Sequence, residues 1–142
     1  MRNALFSADP RWPFGLALVR LAAGLLIARH GLDVFDADGM RGMGEWLTTD
    51  LHLPAGLLLA YLAKGTEFFG GLLLAVGLFT RLATLLLVVT MAVAVLGAHG
   101  DAVLEKGETA LLYLLLFAAF FFAGPGCWSA DYWLAARREV KR

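Results

Sequence analysis

Glu67 lies midway along the apolar stretch Ala55–Phe79. A carboxylate at membrane depth costs on the order of several kcal/mol unless it is paired or neutralised. Other ionisable residues punctuate apolar runs in the same way. Arg20, Arg29 and His30 fall in the first run and Lys64 in the second, His99 closes the third, and Glu108 opens the fourth. These side chains suit hydrogen-bonding and proton chemistry. Arginine and histidine donate to carbonyl oxygens, while histidine and glutamate accept and release protons. Arg20, His30, Glu67, His99 and Glu108 are the candidates for a polar interior site.

Each candidate has a plainer reading. On a helix, Arg20, Gly24, Ile27 and Gly31 share one face, so small residues and a guanidinium should turn toward neighbouring helices. Arg29 points away and is placed to snorkel. His30 reaches the interior, or simply meets the helix C-terminal dipole ahead of Gly31. Glu67 shares a face with Lys64, and a self-neutralising pair is one reading. The sharper reading is a carboxyl held by Arg20 or a histidine, in a pocket opened by Gly70-Gly71, with Arg20 extended along the groove left by the glycines. The histidine spacing fixes no haem or metal site. Asp36-x-Asp38-Gly39 matches part of a calcium loop, but Val34 stands where the first ligand belongs. Cys127 is the sole cysteine, which excludes an internal disulfide.

Membrane helices must position these residues. The chain of 142 residues is 60% hydrophobic and only 17% charged, with mean hydropathy +0.72, too apolar to solvate one face of every element. The net charge of +0 and the lack of a basic, aromatic-laced patch exclude a nucleic-acid partner. Four spans are expected at about 14–32, 55–79, 82–99 and 108–123, in a single domain covering 1–142. No strand-period alternation is present, so the fold class is all-α, an integral membrane four-helix bundle. The first run carries internal arginines and no small-residue cleavage site, so it is expected to remain as a helix. A two-residue turn, Thr80-Arg81, is expected between spans two and three.

Arg2, Arg11, Arg81, Arg137, Arg138, Lys141 and Arg142 fall on one side of the membrane, against Arg41 and Lys106 on the other. This bias places both termini in the cytoplasm, with 127–142 a cytoplasmic tail. Met40, Met43, Leu47 and Leu51 recur at helical spacing within about 39–51 and predict a short helix lying on the outer surface. Gly124-Pro125-Gly126 should stop the fourth span, and Ser129 should cap a short segment ahead of the basic tail. His30-Gly31 and His99-Gly100 end spans one and three, while Lys64-Gly65-Thr66-Glu67 and Lys106-Gly107-Glu108 introduce Glu67 and Glu108. That echo predicts a two-hairpin internal pseudo-repeat.

Leu-Val-Arg20, His30-Gly31, Glu67 with Gly70-Gly71, Gly77-Leu-Phe-Thr-Arg81, His99, Glu108 and Gly124-Pro-Gly together resemble the DoxX family, from about Phe14 to Asp131. The resemblance implies a small multi-pass protein of the bacterial inner membrane, associated with a quinol oxidase system. A redox-associated protein binding a quinone-like or other small amphipathic molecule is the leading expectation. Quinone is then the ligand to consider, no cofactor site is evident, and electrons come from redox or membrane partner subunits. The chain alone is at most a subunit of a quinone-linked oxidoreductase. The alternatives are a non-enzymatic membrane subunit or scaffold of a larger complex, and a small-solute transporter acting as a homo-oligomer. Lipid is a partner in every reading.

Overall fold

Proline and glycine punctuate the helices of this protein, here described from a computed structural model covering residues 13–99 and 107–139. Helix α1 (Pro13–His30) opens on a proline, whose missing N–H costs nothing in a first turn. It runs on as a tighter 3-10 turn, Gly31–Phe35. The Asp36 carboxylate accepts the Asp38 N–H at 3.2 Å and caps α2 (Ala37–Thr49). That helix buries Met40, Gly44 and Leu47, half-buries Met43 and Trp46 beside them and exposes its opposite face, at the helical spacing the sequence predicts. After it come α3 (Gly56–Gly65), a π-helical turn (Thr66–Gly70) and α4 (Gly71–Val76), which form one continuous rod. Helix α5 (Thr80–Val93) continues into a second π-helical segment, Ala94–His99. Helix α6 (Glu108–Ala123) stops at Gly124-Pro125-Gly126, where both glycines take positive φ, and α7 (Ala130–Glu139) comes after it.

Every element among the described residues is helical. Three rods are long and apolar enough to cross a membrane: Phe14–Phe35, Gly56–Val76 and Thr80–Gly97. The fourth expected span is shorter. Its 16 residues rise about 24 Å at 1.5 Å each, less than the roughly 30 Å of a hydrocarbon core. The turn between spans two and three also differs from the expected Thr80-Arg81. Gly77, at φ +74°, ends α4 early because the N–H groups of Gly77 and Leu78 both return to the Leu73 carbonyl at 2.9 Å. The turn is Gly77-Leu78-Phe79, and Thr80 already belongs to α5.

Glycines let the rods touch at backbone distance. A Cβ on Gly24 would lie 2.6 Å from the Gly71 carbonyl oxygen, and one on Gly71 would lie 2.7 Å from the Ala28 nitrogen. Gly70, its neighbour, faces Leu87 of α5 instead. The second rod is thereby wedged between α1 and α5, with α5 in turn packed on α6. Ala23, Ile27, Leu74, Leu87, Met91, Phe117 and Phe120 fill the core between them. A smaller core of Met40, Leu47 and Ala60 fixes α2 to α3. The outward faces carry Leu25, Leu58, Leu62, Leu86, Leu112 and Phe122, each largely exposed, as contact with lipid hydrocarbon requires. The segment 100–106, which the sequence echo needs for its second half, lies outside the described residues, as do Arg2, Arg11, Lys141 and Arg142.

Candidate functional site

Lys64 and Glu67 form an ion pair in the second rod, Nζ to Oε2 at 2.9 Å, with side-chain exposures of 17% and 9%. They flank the start of the π turn, which packs an extra residue into one turn and shifts the register of everything beyond it. Gly70 and Gly71, at the end of that turn and the start of α4, are both buried. π turns inside α-helices occur often at functional sites. Lys64 also donates to the main-chain carbonyl of His30 at 3.3 Å and lies 3.5 Å from the Asp33 carboxylate. Its ammonium is thus shared among three oxygen acceptors at the point where α1 becomes the 3-10 turn.

Two cavities meet at this pair. The larger, about 560 Å³, runs between α2, α3 and α5 and is walled mainly by apolar side chains, among them Trp46, Leu59, Leu62, Leu86, Val89 and Val93. Lys64, Thr66, Glu67 and Thr90 supply its polar atoms. Leu62, Leu86, Val89 and Val93 are each about half exposed, Val89 at 54%, so the groove is open sideways toward hydrocarbon. The smaller cavity, about 280 Å³, lies on the other side of the pair and takes in His30, Thr109, Ala110 and Tyr113. The His30 and Tyr113 rings meet edge to face at 6.1 Å. Ala94, the first residue of the second π segment, borders both spaces with Lys64 and Glu67.

Arg20 lies elsewhere. The expected reach toward Glu67 is replaced by hydrogen bonds from its guanidinium to the main-chain carbonyls of Pro125 and Trp128. Ten residues of α1 separate Arg20 from His30, roughly 15 Å of helix. Arg20 is 3% exposed and packs so closely on Gly77 that a Cβ there would lie 2.7 Å from its Cζ. Its Nε finds no acceptor among the described residues, nor does the Thr80 hydroxyl find a partner. Around it, Asp131 accepts the N–H groups of Phe79 and Thr80 at 2.8 and 2.9 Å, and its own N–H donates to the Gly77 carbonyl at 3.0 Å. Ser129 donates to the Gly126 carbonyl and accepts the Tyr132 N–H, capping α7 as its sequence position suggests. A shallow hollow of about 580 Å³ over Phe79–Leu82 and Tyr132 adjoins this cluster, but Arg20 does not line it.

The structure therefore brings His30, Lys64 and Glu67 together and separates Arg20 from them. Glu108 is exposed in the first turn of α6, which contributes Thr109, Ala110 and Tyr113 to the small cavity instead. His99 ends the second π segment, and its side chain is not among those the structure describes. Among the described residues, no three His, Cys, Asp or Glu side chains cluster closely enough to hold a metal ion. Sequence reasoning missed Tyr113 and Trp46 as lining residues. Tyr113 was visible as the one hydroxylated aromatic in the fourth apolar run.

Apolar helical rods with a polar pair between two cavities define a small multi-pass membrane protein. The DoxX family model matches residues 15–100, more than half the chain, and the protein belongs to the DoxX family. An uncharacterized protein of Haemophilus influenzae is 34% identical over 128 residues, covering 84% of this chain and 90% of its own. An uncharacterized membrane protein of Mycobacterium tuberculosis is 28% identical over 153 aligned positions, covering 92% of this chain and 93% of its own. No solved structure matches.

Proposed function

We propose that this protein sits in the bacterial inner membrane with both termini cytoplasmic and binds a quinone-like amphipathic molecule drawn from the bilayer. The observation that carries this reading is the buried Lys64–Glu67 pair at the inner end of a groove otherwise walled by leucine, valine and tryptophan. Apolar walls with a few converging polar groups are the usual composition of a small-molecule site. The head of such a molecule accepts from the Lys64 ammonium, and its chain lies along Leu62, Leu86 and Val89 toward lipid. Charge bias across the membrane supports the orientation. In this reading the groove supplies orientation and hydrogen bonds, and the electrons come from a redox partner subunit.

Trp46 lines the groove and reports its occupancy. Titrating the full chain in mild detergent with decyl-ubiquinone should give saturable fluorescence quenching that is lost in Trp46→Phe. Val89→Trp, which fills a groove position already exposed to lipid, should weaken binding roughly tenfold, equivalent to about 1.4 kcal/mol. Quenching that never saturates, or equal affinity in Val89→Trp, would remove the groove from consideration.

A further inference from the structure

The small cavity gives the ion pair a second side with a different chemistry. His30 and Thr109, at its rim, are exposed, and the Tyr113 hydroxyl and Glu67 carboxylate line its wall. One face of the pair therefore meets an apolar groove and the other a more polar vestibule. The partition is thin because the third residue common to both spaces is an alanine, Ala94.

Glu67 has Lys64 as its ionic partner. It is 7% exposed, and its one hydrogen-bonding partner among the described residues is the Lys64 ammonium. Among the described residues, the other titratable groups around it are Asp33 from the 3-10 turn, His30 from α1 and Tyr113 from α6. Helix α4 and the Leu82–Val93 part of α5 contribute none. A head group that carries only carbonyl acceptors competes for the ammonium. The carboxylate left behind is buried without a partner, and such a group neutralises rather than stay charged. Once protonated, Glu67 is itself a donor, able to bond the same head group.

Resting on the groove as the binding site, we propose that Glu67 takes up one proton when an acceptor-only head group binds, and that the small cavity is the water route delivering it. The proton passes from water in the small cavity to the Glu67 carboxylate oxygen. No bond in the bound molecule forms or breaks, and no electron moves. The site thereby couples occupancy to pH on the α2 side of the membrane.

The affinity of the full chain for decyl-ubiquinone, measured by Trp46 quenching across a range of pH, tests this. With one proton taken up, affinity should fall as pH rises, by up to about tenfold per pH unit. Glu67→Gln carries a donor at every pH and should bind with affinity independent of pH, at least as tightly as wild type in acid. In a Cys127→Ser background, Met91→Cys, buried against the vestibule, should react with a membrane-impermeant thiol reagent, while Leu87→Cys in the dry core should not. Persistence of the pH dependence in Glu67→Gln, or an unreactive Met91→Cys, overturns the proton route and leaves the groove reading standing. Loss of all saturable binding in both wild type and Glu67→Gln overturns the groove reading itself.

Discussion

Arg20 and Glu67 are both charged, both buried and both set among glycines, yet their surroundings differ. Arg20 is enclosed by protein: its guanidinium spans two main-chain carbonyls of the Pro125–Trp128 loop and presses on Gly77. It ties α1 to the α4–α5 turn and to the start of α7. Glu67 is held by one side chain and faces open space on two sides. Burial of a charge is therefore no guide to function by itself. The two differ in where their unused hydrogen-bonding capacity points, into packed protein at one end and into cavities at the other.

Breaking the Arg20 end should cost the most. Arg20→Leu strands the carbonyls of Pro125 and Trp128, and losing charge-assisted bonds of this kind should destabilise by about 3 kcal/mol. Thermal unfolding in detergent reads the loss, and the surviving folded fraction should bind decyl-ubiquinone with unchanged affinity. Lys64→Met comes next, because it leaves the Glu67 carboxylate without its ammonium, at about 2 kcal/mol after partial neutralisation. Adding Glu67→Leu should recover part of that stability, a non-additivity that a double-mutant cycle measures. Asp131→Asn weakens the two bonds that start α5 and should cost about 1 kcal/mol, with a similar or smaller drop for Ser129→Ala at the cap of α7. The smallest effect sharpens the comparison most. Arg20→Leu and Glu67→Gln should add within about 0.5 kcal/mol, since they share no partner.

The helical rods, the short helix over 37–49 and the Gly-Pro-Gly stop were legible because each rests on local chemistry: apolar run length, helical spacing of Met40 and Leu47, and the conformational limits of proline and glycine. The Arg20, Gly24, Ile27 and Gly31 stripe was legible for the same reason, and all four residues are buried. Their partners were not. Arg20 donates to the carbonyls of Pro125 and Trp128 across more than a hundred residues of chain, and no local pattern signals so distant a bond. The two π segments also escaped, because an extra residue in one turn changes which side chains face inward without changing the composition of the run. Glu67 sits with Lys64 and His30 rather than with Arg20 because Arg20 lies ten residues back along α1, roughly 15 Å from His30. The Lys64–Glu67 contact itself comes from i, i+3 spacing and was visible from the start; the cavities on either side of it are products of tertiary packing.

Ligand-induced thermal stabilisation of the Lys64→Met/Glu67→Leu protein against wild type most directly tests whether the ion pair is the site. Decyl-ubiquinone should raise the unfolding temperature of wild type and leave that of the double variant unmoved, while the double variant still unfolds cooperatively on its own. An equal shift in both proteins would show that binding takes place away from Lys64 and Glu67, and would contradict the account.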